Sequence, residues 1–155
     1  MDYGTFIIFI NVALYFSAMD IKIHIITSTI LAALLYNFYG LWVLLVVIVG
    51  TILDIDHFIY FYRKKRKLSL RECYAYYKHI DRHKKFAEIK DAIFIFHLVE
   101  LLILFLIAGF FNRLFLLIFY SMLLHYILDI IYEAKYLGGI VKPYSIIYWL
   151  VKRKE

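Results

Sequence analysis

One cysteine, Cys73, is present in 155 residues. An internal disulfide and a cysteine-built metal site are both excluded by that count. Glutamine is absent, and asparagine, methionine and cysteine are scarce, a composition that points to a hot or AT-rich source and says nothing of function. The N-terminal stretch MDYGTFIIFINVALYF has no basic region ahead of its apolar run, and a second apolar segment follows at once, so it lacks the make-up of a secretory signal. No repeat of solenoid length and no low-complexity linker divides the chain, which is read as one domain over 1–155.

What is there is apolar. The chain is 65% hydrophobic and 20% aromatic. Soluble domains are nearer about half apolar, so the expected class is an integral membrane protein. Four stretches have the roughly 20 apolar residues a bilayer crossing requires: 21–39, 41–61, 91–110 and 114–134. Asn37-Phe38-Tyr39-Gly40 joins the first two and the region of Asn112-Arg113 joins the last two, both short enough to impose antiparallel hairpins. The expected fold is therefore all-α and polytopic, with about four transmembrane helices in two hairpins. Residues 5–18 are apolar but short and are read as an interfacial helix. Tyr144, Tyr148 and Trp149 precede a basic C-terminus and read as a second interfacial anchor in the tail 135–155.

Charge sets the expected orientation. Of 18 Lys and Arg, only Arg113 falls at the ends opposite the loop 62–90, the tail and Lys22. By the positive-inside rule the loop and tail are cytoplasmic and the protein belongs to the cell (inner or plasma) membrane. The run Arg63–Lys67 at the membrane edge suits anionic lipid headgroups and not nucleic acid, so membrane lipids are the expected partners. His79 and His83 lie i,i+4 in a strongly charged context and read first as a solvated helix face, with a ligand-bearing lid as the other reading.

Few ionisable residues enter the spans, and these are functional candidates because charge is expensive in lipid. They are His24 in the first span, Asp54, Asp56 and His57 in the second, His97 and Glu100 in the third, and His125, Asp129 and Glu133 in the fourth. Asp54/His57 and His97/Glu100 are spaced i,i+3 and His125/Asp129 i,i+4, so each pair is expected on one helix face. Asp56 would point about 160° from Asp54 on an ideal helix and joins the others only if that helix end unwinds or rotates. At 1.5 Å per residue, Asp129 lies about 9 Å from Lys135, His97 about 10 Å from Lys90 and Asp54 about 13 Å from Arg63. All four spans thus carry their polar groups at one depth near the cytoplasmic face, with Glu133 nearer the interface.

Imidazoles and carboxylates without soft sulfur are ligands for zinc, manganese or iron. Four histidines and four carboxylates in one layer point to one or two divalent ions, zinc first, because two such ions would balance four negative charges. A proton or ion pathway and plain helix packing are the other readings.

These residues resemble the YdjM-type integral inner-membrane metal-dependent hydrolases. GTILDIDHFI is similar to the G-x-L-x-P-D-I-D-H signature of that family, with Leu53 in place of the proline. His24 matches the histidine that opens the family's first span, His97 one that opens a later span, and His125 with Asp129 its H-x-x-x-D element. The family's H-R-G-x-T-H-S element is not recognisable, since FHLVE keeps only the last histidine. The resemblance covers roughly 20–134 and implies metal-dependent hydrolysis. The expected ligands are His24, Asp54, Asp56, His57, His97, His125 and Asp129, with Glu100 and Asp56 as the catalytic candidates. A basic loop above the site favours an anionic, lipid-like substrate such as a phosphoester. A di-iron oxidoreductase, an ion transporter and a metal-stabilised structural bundle are the rival readings.

Overall fold

The computed structural model describes residues 21–89 and 92–152. The expected interfacial helix over 5–18 and the last three residues lie outside them. Among the described residues the chain is all helical, without strands.

Helix α1 (Ile21–Tyr39) ends at Gly40, whose φ of +57° is open to glycine at little cost and turns the chain back through a 3-10 turn, Gly40–Val43. Helix α2 (Leu44–Ile52) then runs antiparallel against α1. Ala32, Val43, Val46 and Leu117 pack between these helices and α6 (Leu114–Tyr132). Small residues bring the backbones close: a Cβ on Gly50 would collide with the Ser28 hydroxyl, and Ser121 Oγ donates to Val46 O at 2.8 Å. Helix α5 (Val99–Gly109) and α6 form the second hairpin. Its turn is closed by Asn112 Oδ1, which accepts from Leu114 N at 2.9 Å.

The run Ile21–Lys65, which doubles back at Gly40, and Leu114–Leu137 are long and apolar enough to cross a membrane. Beside its apolar core the bundle buries polar groups and exposes large apolar ones. His24, His97, His125 and Asp129 are buried, while Leu34, Trp42, Leu44, Ile48, Ile103 and Leu104 face outward.

Two departures from ideal helix matter to the site. The second apolar stretch does not run straight through. It breaks at Leu53–Asp54, where Asp54 takes φ −74° and ψ 2°, and resumes as α3 (Ile55–Lys65). The third span is not the continuous helix expected over 91–110. Helix α5 covers 11 residues, about 16 Å. Ahead of it, Phe94 and Leu98 are extended around a 3-10 turn, Ile95–His97. The freed backbone groups find other partners: Phe96 N donates to Asp56 Oδ2 at 3.0 Å and Val99 N to Tyr144 O at 2.7 Å. Buried non-helical backbone requires such internal partners.

The basic loop folds over the end of the bundle. Helix α4 (Leu70–His83) starts at a capping box in which Ser69 Oγ accepts from Glu72 N, and it ends at Lys84 in the left-handed region. Its buried face, Cys73, Tyr77 and Ile80, packs on Phe61 and Phe94. Burial, with the nearby Asp54 carboxylate, pushes the Cys73 thiol up to about 11, so it is no nucleophile at neutral pH.

Asp81 on this helix supplies a pH test of the loop's docking. Burial raises its carboxyl to about 6 against the Tyr132 hydroxyl, which lowers it, and Glu133 adds to the rise. The folded state therefore binds this proton more tightly than the unfolded chain does. The resulting stabilisation is complete below about pH 4 and is lost as pH rises through about 6. Asp81→Asn is expected to melt above the wild type at pH 7, by on the order of 1 kcal/mol after discounting for partial exposure, and to match it below pH 4. Thermal melts in detergent across that range check both the sign and the window.

Candidate metal centre

The side chains at the basic-loop end of the bundle come from several different elements. His24 projects from the first turn of α1, and His125 and Asp129 from successive turns of α6. Asp54 sits at the helix break, Asp56 and His57 at the start of α3, and His97 at the end of the 3-10 turn. The structure brings all seven together. Asp54 retains 31% side-chain exposure while Asp56 and Asp129 retain 7% each, so Asp54 is the most open of the three carboxylates.

Four donor atoms converge. His97 Nε2 and His125 Nε2 are 3.1 Å apart. Asp54 Oδ1 lies 3.6 Å from the first and 3.4 Å from the second. Asp129 Oδ2 lies 3.3 Å and 3.8 Å from the same two atoms. A tetrahedral ion with ligand bonds of about 2.0–2.2 Å sets its ligands about 3.3–3.6 Å apart. The five separations bracket that range, and Asp54 with His97 and His125 forms a triad that could hold a metal ion. Two further triads have compatible spacing: His24 with His125 and Asp129, and Asp56 with His57 and His97. His24 Nε2 is 3.8 Å from Asp129 Oδ1 and 3.9 Å from Asp54 Oδ2, and its ring stacks on His125 at 3.9 Å.

Asp56 orients the histidines. Its Oδ1 is 2.9 Å from His57 Nδ1 and its Oδ2 is 3.1 Å from His97 Nδ1. An ionised carboxylate only accepts, so each Nδ1 carries a proton, and the Nε2 of a neutral His97 presents a lone pair to the cluster. Carboxylate–histidine pairs of this kind set ligand tautomer and basicity around metals. The ring of His57 stacks on Phe94 at 4.0 Å, and its backbone carbonyl accepts from the Tyr77 hydroxyl at 2.9 Å. The loop helix thus roofs this side of the site.

The helix break resolves how Asp56 joins the others. Asp54 and Asp56 would diverge on an unbroken helix, but α3 restarts after Asp54 and carries Asp56 inward beside His97.

Glu100 does not join the cluster. The expected His97/Glu100 pairing assumed one helix, and the extended Leu98 between them breaks that face. Glu100 Oε1 instead accepts from Ser145 Oγ at 2.6 Å, where α7 (Ile146–Lys152) begins. His79 and His83 make a ring contact with each other and belong to none of the metal-compatible groups.

Lys142 is the residue that sequence reasoning missed. It counted only as one of the tail's positive charges, yet it is buried with Nζ 2.7 Å from Asp129 Oδ2 and 3.8 Å from Glu133 Oε1. Burial draws its ammonium down, but Asp129 and Glu133 outweigh that and leave it more basic than an ordinary lysine. The signal was the Gly138-Gly139 pair four residues earlier: both take positive φ and return the chain towards the bundle.

No family model matches this chain, and no curated protein or solved structure matches it.

Proposed function

We propose that this chain is a multi-pass membrane protein of four spans that holds a divalent ion near its cytoplasmic face and hydrolyses an anionic, lipid-linked or phosphoester substrate there. The observation that carries the reading is the gathering of Asp54 and Asp129 oxygens around the His97 and His125 Nε2 atoms at 3.1–3.8 Å, close to the separations between ligands of one divalent ion. The apolar exterior, the buried polar layer and the one-sided distribution of Lys and Arg support the membrane setting. The order and spacing of the motifs agree with the resemblance to membrane metal-dependent hydrolases.

A divalent ion bound here would supply a Lewis acid for the scissile bond and an acidified water. His97 and His125 bring their Nε2 atoms to within 3.1 Å of each other in the donor cluster. Asp56 keeps the proton of His97 on Nδ1 and so holds the ring in its ligating tautomer. Asp54, the most open of the three carboxylates, is the one that solvent can reach. The Phe94 and Tyr77 rings shield His57 from solvent.

Both glutamates of the region are engaged by the C-terminal segment, so the cluster's own carboxylates are all aspartates. This favours a hydrolase over a di-iron oxidase built on glutamates. No ionisable side chain continues through the outer halves of the spans, which disfavours a conducting path.

Elemental analysis of purified wild type beside Asp54→Ala and His125→Ala tests the reading. Stoichiometric zinc or manganese is expected in the wild type, with most of it lost in both variants. Metal-dependent phosphate release from a polyprenyl phosphate or phospholipid in micelles is expected to follow the metal. Equal metal in all three proteins would sink the assignment. Redox-active iron with a charge-transfer band would move it to an oxidase.

A further inference from the structure

The three aspartates of the cluster cannot be electrically independent of Lys142. Its ammonium is seated on Asp129 Oδ2 at 2.7 Å, inside the bundle, with 8% of the residue exposed. The C-terminal segment is built to hold it there. Val141 N donates to Glu133 Oε2 at 2.9 Å and the Tyr144 hydroxyl to Glu133 Oε1 at 2.9 Å, bracketing Lys142 on both sides. Tyr144 O then accepts from Val99 N, and Ser145 Oγ ties the segment to Glu100. The Phe94 and Tyr144 rings flank the ammonium at 5.9 and 5.3 Å.

We propose that the Lys142 ammonium takes the place of a second cation in this cluster, so that the centre holds one divalent ion and not two. This rests on the metal-binding reading above. Asp54, Asp56 and Asp129 bring three negative charges; Lys142 cancels one and leaves the charge of a single divalent ion. Glu133 directs its oxygens to Val141 N and the Tyr144 hydroxyl, away from the histidines. Glu133 faces the same ammonium at 3.8 Å, and with its charge counted one divalent ion leaves a single negative charge and two leave a single positive one, whereas without Lys142 two ions would balance the four carboxylates; the ammonium thus shifts the balance away from a second ion.

The test is metal stoichiometry. Purified protein in detergent is equilibrated with excess zinc or manganese, desalted, and assayed for metal per chain by mass spectrometry. Wild type is expected to hold one ion, Lys142→Arg one, and Lys142→Met two. A wild type with two ions overturns the role of Lys142 and leaves the metal centre standing. A folded Lys142→Met that stays at one ion, with its circular dichroism unchanged, overturns it equally. A wild type with none removes the metal reading and this inference together. If Lys142→Met does not fold, the wild-type count decides.

Discussion

If the cluster holds a divalent ion as proposed, replacing His97 with alanine is expected to lower affinity for it by more than about 100-fold, the largest effect of any single substitution at the site. The reason is that His97 acts through both ring nitrogens. Its Nε2 is one of the four convergent donors, 3.1 Å from His125 Nε2 and 3.3 Å from Asp129 Oδ2. Its Nδ1 is a partner of Asp56, which also orients His57. Loss of an outer partner alone typically weakens a metal site by about 10–100-fold; His97→Ala removes a ligand and disturbs that outer partner at once. Isothermal titration with zinc against the wild type gives the ratio. His79→Ala and His83→Ala on the loop helix should bind as the wild type does. If they weakened binding as much as His97→Ala, the donors would have to be sought in the loop.

Gly50→Ala is expected to destabilise the bundle by about 1–3 kcal/mol, the cost typical of overpacking a close contact. The new methyl would meet Ser28 Oγ and crowd Ser28 Cβ and Ser121 Oγ, each 3.0–3.1 Å from its position. The same crossing governs the metal cluster. His24 lies one turn before Ser28 on α1, and Asp54 lies one turn after Gly50. Pushing the two helices apart therefore widens the His24–Asp54 separation, which is 3.9 Å in the native packing. Gly50→Ala should lose both thermal stability and metal affinity. Ser28→Gly in the same chain should restore much of both by opening the space the methyl needs, a coupling that a double-mutant cycle isolates. Additive losses in the double variant would mean that the contact does not set the crossing.

These two predictions divide along what could be read in advance. The helical hairpins were legible because Asn37–Gly40 and Asn112-Arg113 interrupt long apolar runs, and turn chemistry is local. His24, Asp54, Asp56, His57, His97, His125 and Asp129 were legible because charge in an apolar stretch carries a cost that needs a compensating use. Counting residues from basic boundaries was enough to place them at one level. The role of Gly50 was not legible, because a glycine in an apolar run signals a close approach only once the facing helix is known.

The third span shows why the pairing rule failed at Glu100. The i,i+3 spacing of His97 and Glu100 implies a shared face only if the intervening backbone is helical. Leu98 is extended there, and the nearby backbone N–H groups of Phe96 and Val99 bond to Asp56 and Tyr144, which are distant in sequence. Periodicity carries no information about such long-range partners. Tertiary bonds outcompeted the local helix, and Glu100 was drawn to Ser145 instead.

By itself, then, the sequence determined the all-helical class, the two turns, the polar layer and the chemical character of its donors, since each of these follows from residue type, run length or spacing along one chain. Only the tertiary structure decided which donor atoms converge, how the break at Leu53–Asp54 admits Asp56, why Glu100 is excluded and that Lys142 is a member of the cluster. Those outcomes depend on distances between segments far apart in the chain. A buried lysine and a solvated one are the same letter until the fold returns the tail to Asp129.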